Sequence, residues 1–209
     1  MHIDAAALDP EAAYKLVSGL VVPRPIAWVT TLSPGGAVNL APFSAFTFVS
    51  HDPPMVGINV GRKAGVLKDT GTNIHARGEF VVNIADETMI AAVHESAVEH
   101  APEVSEAGLL GLATAPCLAV ATPRLADVPA SLECRFHRAV RFGNSGSEFI
   151  VGEILHIHLR DGLAQDGRID TRSLRPICRL AGPDYATLGE IVTLRNLPRT
   201  SKNDPGPVK

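Results

Sequence analysis

No common phosphate-binding signature occurs in this chain. The Walker pattern and the G-x-G-x-x-G dinucleotide fingerprint are both missing, and Gly57 and Gly61 run into Arg62-Lys63 instead of a Gly-Lys-Ser/Thr close. That argues against a P-loop or Rossmann enzyme. A G-x-S-x-G elbow is also lacking, so Ser44 after Pro42-Phe43 is no activated nucleophile, and no Ser-His-Asp or Cys-His set can be picked out. The only cysteines are Cys117, Cys134 and Cys178, an odd number without C-x-x-C spacing. This disfavours a disulfide framework or a Cys-rich zinc site and fits a reducing, cytoplasmic setting with the thiols as small core residues. There is no excess of positive charge: 19 Lys and Arg against 22 Asp and Glu give a net charge of −3, without the basic field that duplex nucleic acid or an anionic membrane attracts. Apolar runs fall far short of the roughly 20 residues that cross a bilayer. The first residues, with Asp4 and Asp9, lack the basic start and apolar run of a signal peptide. Internal repeats are absent as well.

What is present is a soluble, core-forming composition, 45% hydrophobic and 20% charged, arranged as many short strand candidates. Asp9-Pro10-Glu11 supplies an N-cap, a first-turn proline and an acid for the dipole, predicting a helix to about Leu20 with Tyr14, Val17 and Val21 facing inward. Arg24 to Ser44 is the stretch around which the chain is organised. Ile26 to Leu32 suits a half-buried strand, Ser33-Pro34-Gly35-Gly36 a tight reversal, and Pro42 predicts a bulge that frees neighbouring amides for a planar heterocyclic cofactor. Further strands are expected at Ala45–Val49, Met55–Val60, Glu79–Ala85, Cys117–Thr122, Ser131–Phe142 and Glu148–Leu159. Helices are expected from Asp69 or Thr70 as cap to near Gly78, and from Asp86 to about Val98. Glu99 to Gly108 reads as an exposed loop or lid, and Leu197 to Lys209 as a flexible tail behind a single domain of residues 1–196. Strands at short spacing with few helices predict a mainly β, α+β fold: a β-barrel with helical insertions.

Two groups carry candidate chemistry. Arg62, Lys63 and Lys68, with the amides and hydroxyl at Thr70, offer an anion cations and a helix N-terminus, although the same cations suit a solvated surface. His156 and His158 share one side of a strand, with Glu153 on the other. With no Cys or carboxylate at suggestive spacing, they read as surface or interface histidines, and no metal site is assigned.

Taken jointly, several segments resemble the flavin reductase-like family: R-P-I-A-W-V-T-T at Arg24–Thr31, N-L-A-P-F-S at Asn39–Ser44, D-P-P at Asp52–Pro54 and K-D-T-x-x-N-I at Lys68–Ile74. To these add E-F-V-V-N at Glu79–Asn83, Leu132–Cys134, and R-L-x-G-x-x-Y at Arg179–Tyr185. The resemblance implies an FMN-binding split β-barrel, usually a homodimer. It implies Trp28, Thr30, Thr31, Asn39, Ala41, Pro42, Phe43 and Ser44 along the isoalloxazine and ribityl chain, and Arg62, Lys63, Lys68, Asp69 and Thr70 at the phosphate. Asn73 would brace the loop, and Tyr185 would lie near the ring or the dimer interface. The implied activity is NAD(P)H-dependent flavin reduction, with NADH or NADPH as donor and oxygen, a monooxygenase partner or another acceptor taking the electrons. Alternatives are an FMN-binding electron-transfer or storage protein without NAD(P)H oxidation, and a split-barrel binding protein without flavin. The cofactor would carry the hydride chemistry, which is why no catalytic residue is assigned; His94 and His100 read as solvent-exposed neighbours of the lid.

Overall fold

The computed structural model describes residues 1–197. Seven strands form one antiparallel sheet: β1 (Ala27–Leu32), β2 (Val38–Phe43), β3 (Phe46–His51), β4 (Pro54–Val60), β5 (Glu79–Ile84), β6 (Ala130–Phe142) and β7 (Ser147–Leu159). The order across the sheet is β2-β1-β5-β6-β7-β4-β3. Its two edges, β2 and β3, are consecutive in the chain and joined only by Ser44-Ala45. A sheet whose edges are tied by two residues has to curl on itself, and the Asn59 amide, donating to the Ala45 carbonyl at 2.9 Å, carries the β3–β4 ladder right up to that link.

The inner face is closed by Ala27, Val29, Ile58, Phe80, Cys134 and Ile150, all fully buried. Trp28 and Leu40 point to the opposite face. There they pack with Val93, Ala107 and Leu125 beneath α3 (Ile90–Glu95) and α4 (Glu106–Leu109). The central β1 is therefore covered on both faces, which is why its sequence is apolar or Thr at every position rather than alternating with charge. Gly152 lies against the Phe80 ring, and Gly57 against that of Phe149. Glycine is required at both points because a ring from a nearby strand of the same sheet occupies the place a Cβ would take.

The hairpin at Ser33–Gly36, the Glu79 strand and the long β6–β7 hairpin form as expected. So does α1 (Pro10–Leu20), with Asp9 accepting the Ala12 amide at 2.8 Å. Five expectations are corrected. Pro42 sits in an unbroken register opposite Trp28, without a bulge. On the same strand the Leu40 amide leaves the ladder to donate to the Glu106 carboxylate, and strand alternation turns the Pro42 nitrogen the same way, so an edge strand loses no ladder bond there. Cys117–Thr122 is not a strand: the Leu118 and Ala119 amides donate to Glu133 and the Thr122 amide to Glu79, so carboxylates replace a ladder. Neither Asp69 nor Thr70 caps α2 (Asp69–Arg77); the cap position is Lys68, and no side chain bonds the first-turn amides. The segment after Glu99 is not all exposed loop, because Ser105 caps α4 and Glu106 is buried. Tyr14, Val17 and Val21 are exposed, at 71%, 58% and 58%, because no element among the described residues covers that face of α1. The tail expectation, beyond Leu197, lies outside the described residues. No helix among them is long and apolar enough to cross a membrane.

Candidate functional site

Two cavities lie along the edge strand β2. The larger, about 320 Å³, is walled by Asn39 and Ala41 of β2, by the hairpin residues Val66 and Leu67, and by the first turn of α2. The smaller, about 180 Å³, takes Pro42 and Ser44 from the end of the same strand, together with Arg24 and Tyr185. Ala97 lines both. One strand thus presents successive residues to two adjoining depressions.

The larger cavity has a cationic end. Lys63 and Lys68 line it, both paired with Glu99 from the loop after α3, Lys68 at 3.6 Å. The hydrogen bond from Lys63 and the charges of both lysines hold the Glu99 carboxyl below its ordinary value. The first amides of any helix lack intrahelical partners, and those of α2 have no side-chain cap. Cations beside uncapped amides suit an anion.

Beneath this end stands a buried polar pillar. Asn39 Nδ2 donates to Thr31 Oγ1 at 3.2 Å and to Thr70 Oγ1 at 3.0 Å, while Asn73 Nδ2 donates to Thr31 Oγ1 at 3.1 Å. All four residues are more than nine-tenths buried. The network ties α2 to β1 and β2, and Thr70 keeps its hydroxyl proton to donate elsewhere. Glu106 closes the cavity from α4 through its bond to the Leu40 amide at 2.9 Å.

The smaller cavity is built around Tyr185. Arg179 lies over its ring at 4.6 Å and donates to its hydroxyl at 2.5 Å, and His94 Nδ1 lies 3.3 Å from the same oxygen. Arg24 fixes the other wall by donating to the carbonyls of Leu180 at 2.8 Å and Val21 at 2.6 Å, and to Ser44 Oγ at 3.3 Å. The guanidinium is consumed in holding the N-terminal segment to the residues around 180.

Of the residues expected at a site, Asn39, Ala41, Lys63, Lys68, Asp69 and Thr70 meet at the larger cavity, and Pro42, Ser44 and Tyr185 at the smaller. Thr31 and Asn73 stand behind them in the pillar. The others point elsewhere. Trp28 is fully buried on the opposite face, its indole donating to Ser96 Oγ at 2.8 Å; Thr30 donates to the Pro123 carbonyl; Phe43 is in the core. Arg62 turns away from Lys63 to pair with the buried Glu148 at 2.9 Å, beside His75 and Arg141. Sequence reasoning placed Glu99 and His100 in or beside a loop or lid, but it missed Ser96 to Val98, Glu106 and Arg179 as site residues. Arg179 opens the R-L-x-G-x-x-Y motif that ends at Tyr185, whereas nothing local signals that Glu106 reaches residue 40.

His158 also departs from expectation, since a carboxylate and a thiol do lie beside it. Its Nε2 is 2.5 Å from Glu133 Oε1, and Cys117 completes a cluster whose ligand atoms lie within 4.8 Å of one another. Burial would raise the Glu133 carboxyl, but the Leu118 amide, His158 and the Ala119 amide outweigh it and bring it down to about 2. Burial and the Glu133 charge push the Cys117 thiol up to about 11, so it is a poor nucleophile. With three N–H groups on one carboxylate, this cluster clamps the 117–119 loop onto β6 and β7.

A sequence-family model described as "Flavin reductase like domain" matches residues 19–174. The Halalkalibacterium halodurans protein BH2278 is 42% identical over 208 residues, 97% of this chain and 99% of that one. Nitrilotriacetate monooxygenase component B from Bacillus cereus superposes with a TM-score of 0.90 at 36% identity, covering 93% of this chain and 98% of that one. The 2-nitrobenzoate 2-nitroreductase NbaA of Pseudomonas fluorescens does so with a TM-score of 0.86 at 32% identity, covering 96% of this chain and all of the other.

Proposed function

Because the chain belongs to the flavin reductase-like family, we propose that it binds FMN along β2 and uses it to oxidise NADH or NADPH, passing the electrons to oxygen, a monooxygenase partner or another acceptor. The observation that carries this reading is the polarity of the two-cavity groove. One end has Lys63, Lys68 and the uncapped start of α2, suited to a phosphate. The other has Tyr185 under Arg179, suited to a flat ring.

The residues present fit such a group. Lys63, Lys68, the α2 amides and the Thr70 hydroxyl would hold the phosphate; Asn39, Ala41 and Ser44 would follow the ribityl chain and ring edge; Tyr185 would border the ring. When bound, the flavin supplies a ring that accepts hydride from a nicotinamide and releases electrons in turn. The protein's part is binding, orientation and exclusion of water. The pillar of Thr31, Asn39, Thr70 and Asn73 fixes the phosphate end relative to the strand, and Arg24 holds Ser44 and the 180 region together.

We further infer a homodimer. Tyr14 lines the smaller cavity and belongs to the exposed apolar face of α1, so the ring end of the groove borders a surface that needs covering. Nitrilotriacetate monooxygenase component B is, by its name, one component of a monooxygenase, which supports an oxygenase among the candidate electron acceptors.

The test is reconstitution of purified protein with FMN, followed by assays of NADH and NADPH oxidation with and without the flavin. Flavin-dependent turnover with either donor is expected. Bound flavin that neither donor reduces would replace this reading with an electron carrier.

A further inference from the structure

Resting on the FMN reading, we propose that Glu99 sets how firmly the flavin phosphate is held, by competing with it for Lys63 and Lys68. Three separate segments meet at this point: Lys63 from the 62–67 hairpin, Lys68 from the start of α2, and Glu99 from the loop after α3. A single carboxylate serves both ammonium groups.

The charge inventory makes this contact decisive. Lys63 and Lys68 are the only lysines or arginines among the described residues lining the larger cavity, and three carboxylates, Asp69, Glu99 and Glu106, line it too. Asp69 opens α2, and Glu106 is bound to the Leu40 amide. Only Glu99 among the three touches the lysines. Arg62 brings no relief, since it is committed to Glu148 and to the Gly146 and Gly65 carbonyls.

Exposure makes the pair replaceable. The Lys63, Lys68 and Glu99 side chains are 70%, 46% and 44% accessible. Ion pairs so hydrated have small net strength, so an arriving phosphate can displace the carboxylate without the large desolvation cost of breaking a buried pair. The phosphate then gains less than the two lysines would otherwise give it. The flavin is accordingly held less firmly than two unpaired lysines would hold it, and the preference for FMN over riboflavin is smaller than those lysines alone would give. Displacement also releases the Glu99 side chain that pins residues 97–100 to the cationic end, linking phosphate binding to movement of the shared wall at Ala97.

Dissociation constants of FMN and riboflavin, measured by flavin fluorescence on flavin-free wild type, Glu99→Gln and Glu95→Gln at low and high salt, test the idea. Glu95 is an exposed acid at the end of α3 that does not line the cavity. Glu99→Gln is expected to bind FMN several-fold tighter, with a steeper salt dependence and unchanged riboflavin affinity. Glu95→Gln should match wild type. FMN affinity equal in Glu99→Gln and wild type, or equally raised by Glu95→Gln, overturns the inference alone. Failure of wild type to bind either flavin overturns the FMN reading and this inference together.

Discussion

At the scale of single residues, the most consequential side chains are buried carboxylates that replace backbone partners. Glu133 is fully buried and accepts two amides and His158. Its carboxyl is near 2 in the fold against an ordinary 4.5, so it is a group depressed by folding. The stability it contributes is complete above about pH 4.5 and drains away as pH falls toward 2. Glu133→Gln places an amide nitrogen against donor N–H groups, and an expected loss of about 3 kcal/mol or more should appear in urea unfolding at neutral pH. The difference from wild type should shrink as pH is lowered through that window; a constant difference would contradict the assignment. Gly152 is a second such point. A Cβ there would meet the Phe80 ring and lie 3.1 Å from the Cys134 Cβ, both inside the core, so Gly152→Ala is expected to cost about 1–3 kcal/mol in thermal unfolding.

At the scale of elements, β2 and α2 do the positioning. Loss of the cation and hydroxyl in Lys68→Ala with Thr70→Ala should weaken FMN binding by about 1.5–3 kcal/mol while far-ultraviolet circular dichroism is unchanged. Riboflavin should distinguish mutant from wild type poorly. Thr70→Ser, which keeps the oxygen that Asn39 reaches, should restore binding if Lys68 is present. Pro42→Ala is expected to change stability by less than about 1 kcal/mol, because the nitrogen faces away from the ladder. Sequence reasoning locates both elements because their cues are local: β-branched runs, Pro-Gly-Gly, Lys-Asp-Thr. It misplaces what depends on distant partners. A bulge is expected at Pro42 because an edge position cannot be recognised from one strand. Residues 117–122 resemble a strand although their amides are satisfied by Glu133 and Glu79. Arg62 and Lys63 look like one cationic pair, yet adjacent residues of an extended segment point to opposite sides. The amphipathic period of α1 reveals that one face wants cover, but not what covers it.

At the scale of the whole molecule, the exposed face of α1 carries Tyr14, Val17 and Leu20 at 71%, 58% and 80% accessibility. Sedimentation equilibrium should give twice the chain mass. Val17→Glu, at a position already exposed within one chain, should yield folded monomer. A wild-type protein of single-chain mass would remove the dimer proposal.

The seam of the sheet has a bearing on how the molecule opens. Its edge strands are joined in the chain by Ser44-Ala45, and Ser44 also lines the smaller cavity. A molecule seated against Ser44 and Asn39 would act as a clasp on the place where the cylinder can part. Amide hydrogen exchange in β2 and β3 should therefore be the fastest in the sheet and slow the most on addition of FMN, while β5 and β6 scarcely change.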